Sequence, residues 1–144
     1  MFPILHQQFY YIVELNLFHN YISDESVGLL LKTDWKFIVS LNLMDNLITK
    51  EGVKVITERE YQNLKTFYIA HNDIGNRGIK YIVRARWPKL KQLEISAYIS
   101  EKDGLKYLTR LKLDELRLSP YEGTYQSFLD LLKLRSMKIE LLDL

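Results

Sequence analysis

The chain has 144 residues and no cysteine, carries a formal net charge of +2, and is 47% hydrophobic. That length fits one domain, and the apolar share is large enough for a continuous core, which argues against intrinsic disorder. Without cysteines, an Asn-x-Ser/Thr acceptor, a signal-peptide pattern or an apolar run long enough to cross a membrane, the sequence predicts a soluble intracellular protein, cytoplasmic or nuclear, with no membrane insertion.

From residue 12 onwards, the same apolar pattern returns every 26 residues. Each of the first four units begins with two apolar residues spaced two apart, as a short strand with one buried face requires. These pairs are Leu15 and Leu17, Leu41 and Leu43, Phe67 and Ile69, and Leu93 and Ile95. The second half of a unit has apolar residues three apart, such as Val53 and Ile56, which predicts a helix packed on the strand layer.

Two further strands are expected after the fourth unit. Leu116 and Leu118 repeat the strand pair after a shorter step, which implies a shorter connection. The pattern then predicts the next pair at Leu142 and Leu144, one full repeat of 26 residues later. Such internal repetition is the sequence signature of a solenoid, in which each unit buries its apolar face against its neighbours.

We therefore expect a single domain over residues 1–144, with regular repeats over 12–109 and irregular repeats over 110–144. No capping element is visible at either end, although terminal repeats normally need a polar outer face. Three explanations stay open: a fragment of a longer solenoid, a subunit whose protein partner covers the carboxy-terminal strand 139–144, or marginal solubility, and we favour the first two.

The pattern Leu41-x-Leu43-x-x-Asn46-x-Ile48-x-x-x-Gly52 resembles the leucine-rich repeat, and is nearest to its ribonuclease-inhibitor-like type. The resemblance implies an α/β fold, a right-handed solenoid with a parallel sheet of about six short strands on the concave side and helices on the convex side. It also implies a ladder of buried amides at Asn20, Asn46 and Asn72. Tyr98 and Tyr121 would interrupt that ladder in the next two units.

Side chains that flank the core leucines point to the opposite, concave face, because strand residues alternate. Aromatic and methionine side chains on such a face are typical of protein-binding hot spots. The candidate partner-binding residues are Phe18, Met44, Tyr68, Asn16 and Asn42 on the face, with His19, Asp45 and His71 at its rim. The alternative interpretation is that scattered exposed apolar residues are ordinary on any surface.

Basic residues are concentrated in the middle of the chain. Residues 61–110 contain ten basic and four acidic side chains, against five and eight in residues 1–60. The candidate basic patch consists of Arg77, Lys80, Arg84, Arg86, Lys89 and Lys91, with Tyr81 and Trp87 among them. Interleaved basic and aromatic residues suggest an alternative function for segment 77–110, which is the binding of nucleic acid or of an acidic surface.

The sequence contains no recognisable catalytic motif: no nucleophile elbow, phosphate loop or Cys-His pairing. His19 and His71 would lie about 10 Å apart across the strands, too far for one metal, so we expect no metal or cofactor. The sequence thus predicts a non-enzymatic protein-binding module, an adaptor or scaffold subunit in a larger intracellular assembly.

Overall fold

The computed structural model describes residues 11–97, 107–120 and 138–141. Strands and helices alternate along the first part of the chain: β1 (Glu14–Asn16), α1 (Asp24–Leu30), β2 (Ser40–Asn42), α2 (Lys50–Thr57), β3 (Thr66–Tyr68) and α3 (Gly75–Arg84). Three more strands follow, β4 (Gln92–Ala97), β5 (Glu115–Pro120) and β6 (Lys138–Leu141). All six strands pair in parallel and in sequence order, which confirms the predicted solenoid sheet.

Residues that pair between neighbouring strands are separated in sequence by the length of one repeat. Leu15 lies opposite Leu41, which lies opposite Phe67, so the sequence advances by one full repeat at each step. The step from Leu93 to Leu116 is shorter, as the sequence predicts. The apolar residues of successive units therefore stack in columns, and a shift by one residue would turn each column to the wrong face.

The predicted register of the sixth strand is wrong. Leu116 lies opposite Ile139 and Leu118 opposite Leu141, so this step is as short as the one before it and is not a full repeat. The run from Ile139 to Leu144 contains two apolar pairs spaced two apart, and alternation alone cannot choose between them. The structure uses the earlier pair, and residues 142–144 of the proposed strand 139–144 lie outside the described residues.

Two of the three helices begin at a residue whose hydroxyl caps the first turn. The Ser23 hydroxyl accepts from the Ser26 backbone N–H at 3.3 Å, and the Thr49 hydroxyl accepts from the Glu51 backbone N–H at 3.2 Å. These side chains satisfy donors that the first helical turn leaves free. In α3, Ile74 offers no such group. The three helices pack side by side and bury Val27, Val53 and Ile56, and Ile79 and Ile82, against the sheet.

A column of aromatic rings lines the segments that return from helix to strand. Trp35, Tyr61 and Trp87 are buried at equivalent positions of successive units, with ring centroids 6.4 and 5.9 Å apart. Trp87 Nε1 donates to the carbonyl of Arg59 at 3.0 Å, whereas the Tyr61 hydroxyl is buried and has no hydrogen-bond partner among the described residues. Burial raises the pKa of the Tyr61 phenol well above its ordinary value of 10.0. These rings belong to the hydrophobic core. Trp87 is therefore not accessible to stack on a nucleic-acid base.

Candidate functional site

The sheet presents one face away from the helices, and we call this the open face. It corresponds to the face that the sequence predicts to be concave. Because strand residues alternate, the open face carries the side chains between and beside the buried leucines. The residues that register brings together across it include Asn16, Asn42, Tyr68, Glu94, Arg117 and Glu140. Glu140 takes this place on the sixth strand.

Phe18 and Met44 lie side by side at the carboxyl end of the first two strands. The parallel hydrogen bonding continues past them, since the backbone N–H of His19 donates to the Met44 carbonyl at 3.1 Å. Phe18 is 51% exposed and Met44 is half-buried. The equivalent residue in the third unit, Ala70, is fully buried. In the column of Phe18, Met44 and Ala70, the accessible apolar surface therefore lies in the first two units.

Other exposed apolar side chains also belong to the first units. Among the described residues, all the large exposed hydrophobic side chains lie between residues 11 and 55. They are Tyr11, Val13, Phe18, Tyr21, Leu29, Phe37, Leu47 and Val55. They occupy several surfaces, since Leu29 and Val55 belong to helices whereas Phe18 belongs to the open face. Only Phe18 combines high exposure with the predicted binding face.

Asn16 and Asn42 are held by the backbone that follows them. The Asn16 Oδ1 accepts from the Phe18 backbone N–H at 3.0 Å, and the Asn42 Oδ1 accepts from the Met44 backbone N–H at the same distance. Each amide fixes the chain direction immediately before the apolar side chain. Both residues therefore position Phe18 and Met44 as well as lying beside them on the open face.

The rim residues share an unusual backbone conformation. His19, Asp45 and His71 have φ values of 55°, 54° and 56°, in the left-handed region that few residues other than glycine adopt. The His19 Nδ1 contacts Asp45 Oδ2, and the backbone N–H of His71 donates to the Ser96 hydroxyl. In the parts of the chain that the structure describes, no group of histidine and carboxylate side chains is arranged to hold a metal ion.

The predicted asparagine ladder forms from its second member onwards. Asn46 Nδ2 donates to the carbonyl of Leu17 in the preceding unit at 3.0 Å, and its Oδ1 accepts from the Ile22 backbone N–H at 3.0 Å. Asn72 repeats both contacts one unit later, with Leu43 and Ile48. The prediction that Asn20 is a buried ladder residue is wrong.

Asn20 is exposed, and among the described residues its amide bonds to the carbonyls of Leu17 and Phe18 in its own turn. The other predicted features of this position, Tyr98 and Tyr121, lie outside the described residues.

Tyr68 makes its polar contacts with a cluster on the neighbouring strands. It is half-buried and lies on β3, next to the strand that Met44 follows and two strands away from β1. Its hydroxyl donates to Gln92 Oε1 at 3.5 Å, and the Arg117 guanidinium carbon lies 5.8 Å from the centroid of its ring. That Tyr68 joins Phe18 and Met44 in one binding patch stays a prediction.

Arg117 is the centre of the polar cluster. Its Nε lies 3.0 Å from Glu115 Oε1 and 3.3 Å from Glu140 Oε2, and its Nη1 lies 3.9 Å from Glu94 Oε2. Gln92 links the cluster to the third strand, because its Nε2 donates to Glu115 Oε2 at 2.9 Å while its Oε1 accepts from the Thr66 hydroxyl at 3.1 Å. The Arg117 hydrogen bond holds the pKa of the Glu115 carboxyl below its usual value.

Glu94 is the residue that sequence reasoning misses. Its position in the strand predicts an exposed side chain, yet the residue is only 4% exposed. Burial raises the pKa of the Glu94 carboxyl above its ordinary value, and the positive charge of Arg117 opposes that rise only in part. No sequence pattern marks this burial, because it results from the neighbouring strands' side chains.

The basic patch is largely engaged with other side chains. Arg86 Nη1 lies 2.6 Å from Glu60 Oε1, Lys91 Nζ lies 3.1 Å from Asp114 Oδ1, and Lys89 Nζ donates to Asn63 Oδ1 at 2.8 Å.

Lys80 Nζ lies over the Tyr107 ring, 4.9 Å from the ring centroid. Arg77 and Arg84, which are exposed on α3, have no ion-pair partner among the described residues. Residues 98–106 of segment 77–110 are outside the described residues. Four of the six patch residues are therefore engaged in separate local contacts.

Comparison with known proteins gives one finding. A family model described as Leucine Rich repeat matches residues 36–56 and 62–83, which cover the second and third units of the solenoid. No curated protein matches the sequence. Within the described residues, no helix is long and apolar enough to cross a membrane.

Proposed function

Because this chain is a leucine-rich repeat protein, we propose that it is a non-enzymatic module that binds a protein partner through the open face of its sheet. Leucine-rich repeats generally mediate protein–protein interaction. We propose further that the chain acts as an adaptor or scaffold subunit of a larger intracellular assembly. The ribonuclease-inhibitor-like repeat type remains a prediction from the sequence.

The observation that carries the proposal is the exposure of Phe18 beside Met44. A phenylalanine that is 51% exposed on a sheet face offers a large apolar area with few rotatable bonds. Asn16 and Asn42 accept hydrogen bonds from the backbone N–H groups of Phe18 and Met44. The backbone at both residues is therefore already ordered, so binding a partner costs little further conformational entropy there. The polar cluster around Arg117 supplies charged groups on the same face.

The nucleic-acid alternative has less support. Of the six basic side chains in the candidate patch, Arg86 and Lys91 already face carboxylates, and Lys89 and Lys80 face an amide and a ring. Trp87 is buried and cannot stack on a base. Only Arg77 and Arg84 would be available to phosphates among the described residues of the patch.

Capture from native lysate on the tagged chain, with and without nuclease, tests the proposal. We expect a stoichiometric protein that survives nuclease and whose recovery falls by about tenfold or more in Phe18→Ala, since a central aromatic anchor contributes at least about 2 kcal/mol. The matched control is Leu29→Ala, because Leu29 is similarly exposed but lies on α1.

Circular dichroism should be the same for all three proteins. Equal capture by the Phe18 variant would exclude the open face as the binding site. Recovery that depends on nuclease-sensitive material would favour the nucleic-acid alternative instead.

A further inference from the structure

We infer that the segment bound on the open face is an extended, basic peptide, in which a lysine or arginine lies four or five residues from an apolar side chain. The apolar side chain packs on Phe18 and Met44, and the cation lies against Glu94 and Glu140. This inference rests on the proposed function and names the chemistry of the partner.

The first support is the sign of the charge on the open face. The whole chain is slightly basic, with a net charge of +2. On the strands, however, the charged residues that face away from the helices are mostly acidic: Glu14, Glu94, Glu115 and Glu140, against Arg117 and Lys138. Charge complementarity across an interface selects the partner and speeds its encounter. A basic segment fits this face, and a phosphate backbone would be repelled by it.

The second support is the incomplete neutralisation of Glu94. Its side chain is only 5% exposed, and the nearest described cation, Arg117 Nη1, is 3.9 Å away, beyond hydrogen-bond distance. Arg117 lies closer to Glu115 and Glu140, and Lys138 Nζ lies 3.8 Å from Glu115. Two cations thus serve three carboxylates. An ammonium or guanidinium group of the partner that came within hydrogen-bond distance of Glu94 would therefore add a closer cation than Arg117 now provides.

Access to the cluster is from the side of the sixth strand. The Glu140 side chain is 41% exposed, and that of Arg117 is 34% exposed. An incoming cation would meet Glu140 first and could then displace Arg117 from its long contact with Glu94. The Tyr68 ring, over which Arg117 now lies, would remain available as the aromatic wall of the site.

The spacing within the peptide follows from the sheet. Phe18 lies beside the first strand and Glu94 on the fourth, so three strand separations of about 4.8 Å each lie between them. Phe18 is also two residues further along its strand, which makes the separation roughly 16 Å. An extended chain advances about 3.3 Å per residue and covers that distance in four to five residues.

A random 12-residue peptide display library, selected on the intact chain at low salt, tests the inference. We expect selected peptides to carry Lys or Arg four or five residues from an apolar residue. For a synthetic peptide from the selection, Glu94→Gln should weaken binding by about fivefold or more, the effect of losing one charge pair. Glu58→Gln, which removes an exposed carboxylate at the end of α2, should leave the affinity unchanged.

The outcomes separate this inference from the proposed function. Peptides that Phe18→Ala weakens, but that lack basic residues or bind Glu94→Gln equally well, would overturn the basic-partner inference and leave the proposed function intact. A selection in which no peptide is weakened by Phe18→Ala would overturn both.

Discussion

The Asp24 Oδ1 accepts a hydrogen bond from the backbone N–H of Gly52 at 3.0 Å, so the first helix caps the start of the second. The same carboxylate accepts from the backbone N–H and the hydroxyl of Thr49, at 2.8 and 2.6 Å. These backbone donors belong to the helix start, where no intrahelical acceptor exists, and a negative charge there is favourable. The contact locks adjacent repeats together on the helical side of the solenoid.

A side chain at Gly52 should disrupt this contact. An added Cβ would lie 2.4 Å from Asp24 Oδ1 and 2.8 Å from Ile48 Cγ2. We expect Gly52→Ala to lower the free energy of unfolding by about 1–3 kcal/mol, because overpacking outweighs the better helix propensity of alanine. Urea denaturation followed by circular dichroism measures the change.

The matched control is Gly28→Ala in the preceding helix, where a Cβ would meet nothing within 4 Å. That substitution should raise the free energy of unfolding by about 0.5–1 kcal/mol, through helix propensity alone. Equal effects of the two substitutions would contradict the close approach of Asp24 to Gly52.

The two asparagines Asn46 and Asn20 should differ in their contribution to stability. Asn46→Ala removes the acceptor of the part-buried Ile22 N–H and one of the two donors to each of the Leu17 and Leu43 carbonyls, so we expect a loss of about 1–3 kcal/mol. Asn20→Ala affects only one exposed turn, and its cost should stay below about 1 kcal/mol. Thermal unfolding of the two variants side by side decides the point, and similar losses would argue against a ladder that begins at Asn46.

The unpaired hydroxyl of Tyr61 should cost stability. Removing a buried donor that has no partner relieves its desolvation penalty, so we expect Tyr61→Phe to raise the free energy of unfolding by about 1 kcal/mol. Trp87→Phe provides the contrast, since it loses a hydrogen bond to the Arg59 carbonyl together with buried volume, and it should lower stability by about 1–3 kcal/mol. A destabilised Tyr61→Phe protein would mean that the hydroxyl has a partner.

The buried carboxyl of Glu94 should make stability depend on pH. Its pKa in the folded protein is raised above the ordinary value of 4.5, so the folded state holds the proton more tightly than the unfolded state does. This group therefore lowers stability as the pH rises from about 4.5 through the folded pKa, and its contribution is constant above that.

We expect Glu94→Gln to remove that decline, so that the stability gained over the wild type grows with pH across this window. Equilibrium unfolding of both proteins at a series of pH values measures the difference, with Glu58→Gln as the control for a lost surface charge. A difference that does not vary with pH would show that Glu94 has the same proton affinity in both states.

The repeat architecture could be predicted because its cause lies in the sequence. Leu41, Phe67 and Leu93 must all be buried by the same stacking, and the constant offset between them is visible without coordinates. The column of Trp35, Tyr61 and Trp87 has the same offset, so the pattern contains a signal that would have assigned Trp87 to the core.

The register of the last strand and the exposure of side chains on the open face could not be predicted from the alternation of apolar and polar residues. The run from Ile139 to Leu144 allows two registers, and the choice between them is made by pairing with the fifth strand. The burial of Glu94 and the contact of Tyr68 with Gln92 depend on the length and direction of side chains from neighbouring strands. Strand spacing therefore predicts which face a residue occupies, but not how far it is exposed there.

The aromatic column also makes the protein its own optical reporter. The chain has two tryptophans, Trp35 and Trp87, and both lie in the buried column on either side of Tyr61. Their emission therefore originates from the interior of the first three repeats. Since each solenoid unit is stabilised mainly by its neighbours, fraying from the carboxy-terminal strands would leave this fluorescence unchanged while the circular dichroism falls. A comparison of the two signals during denaturation would reveal whether the array melts as one unit or from its carboxy-terminal strands inward.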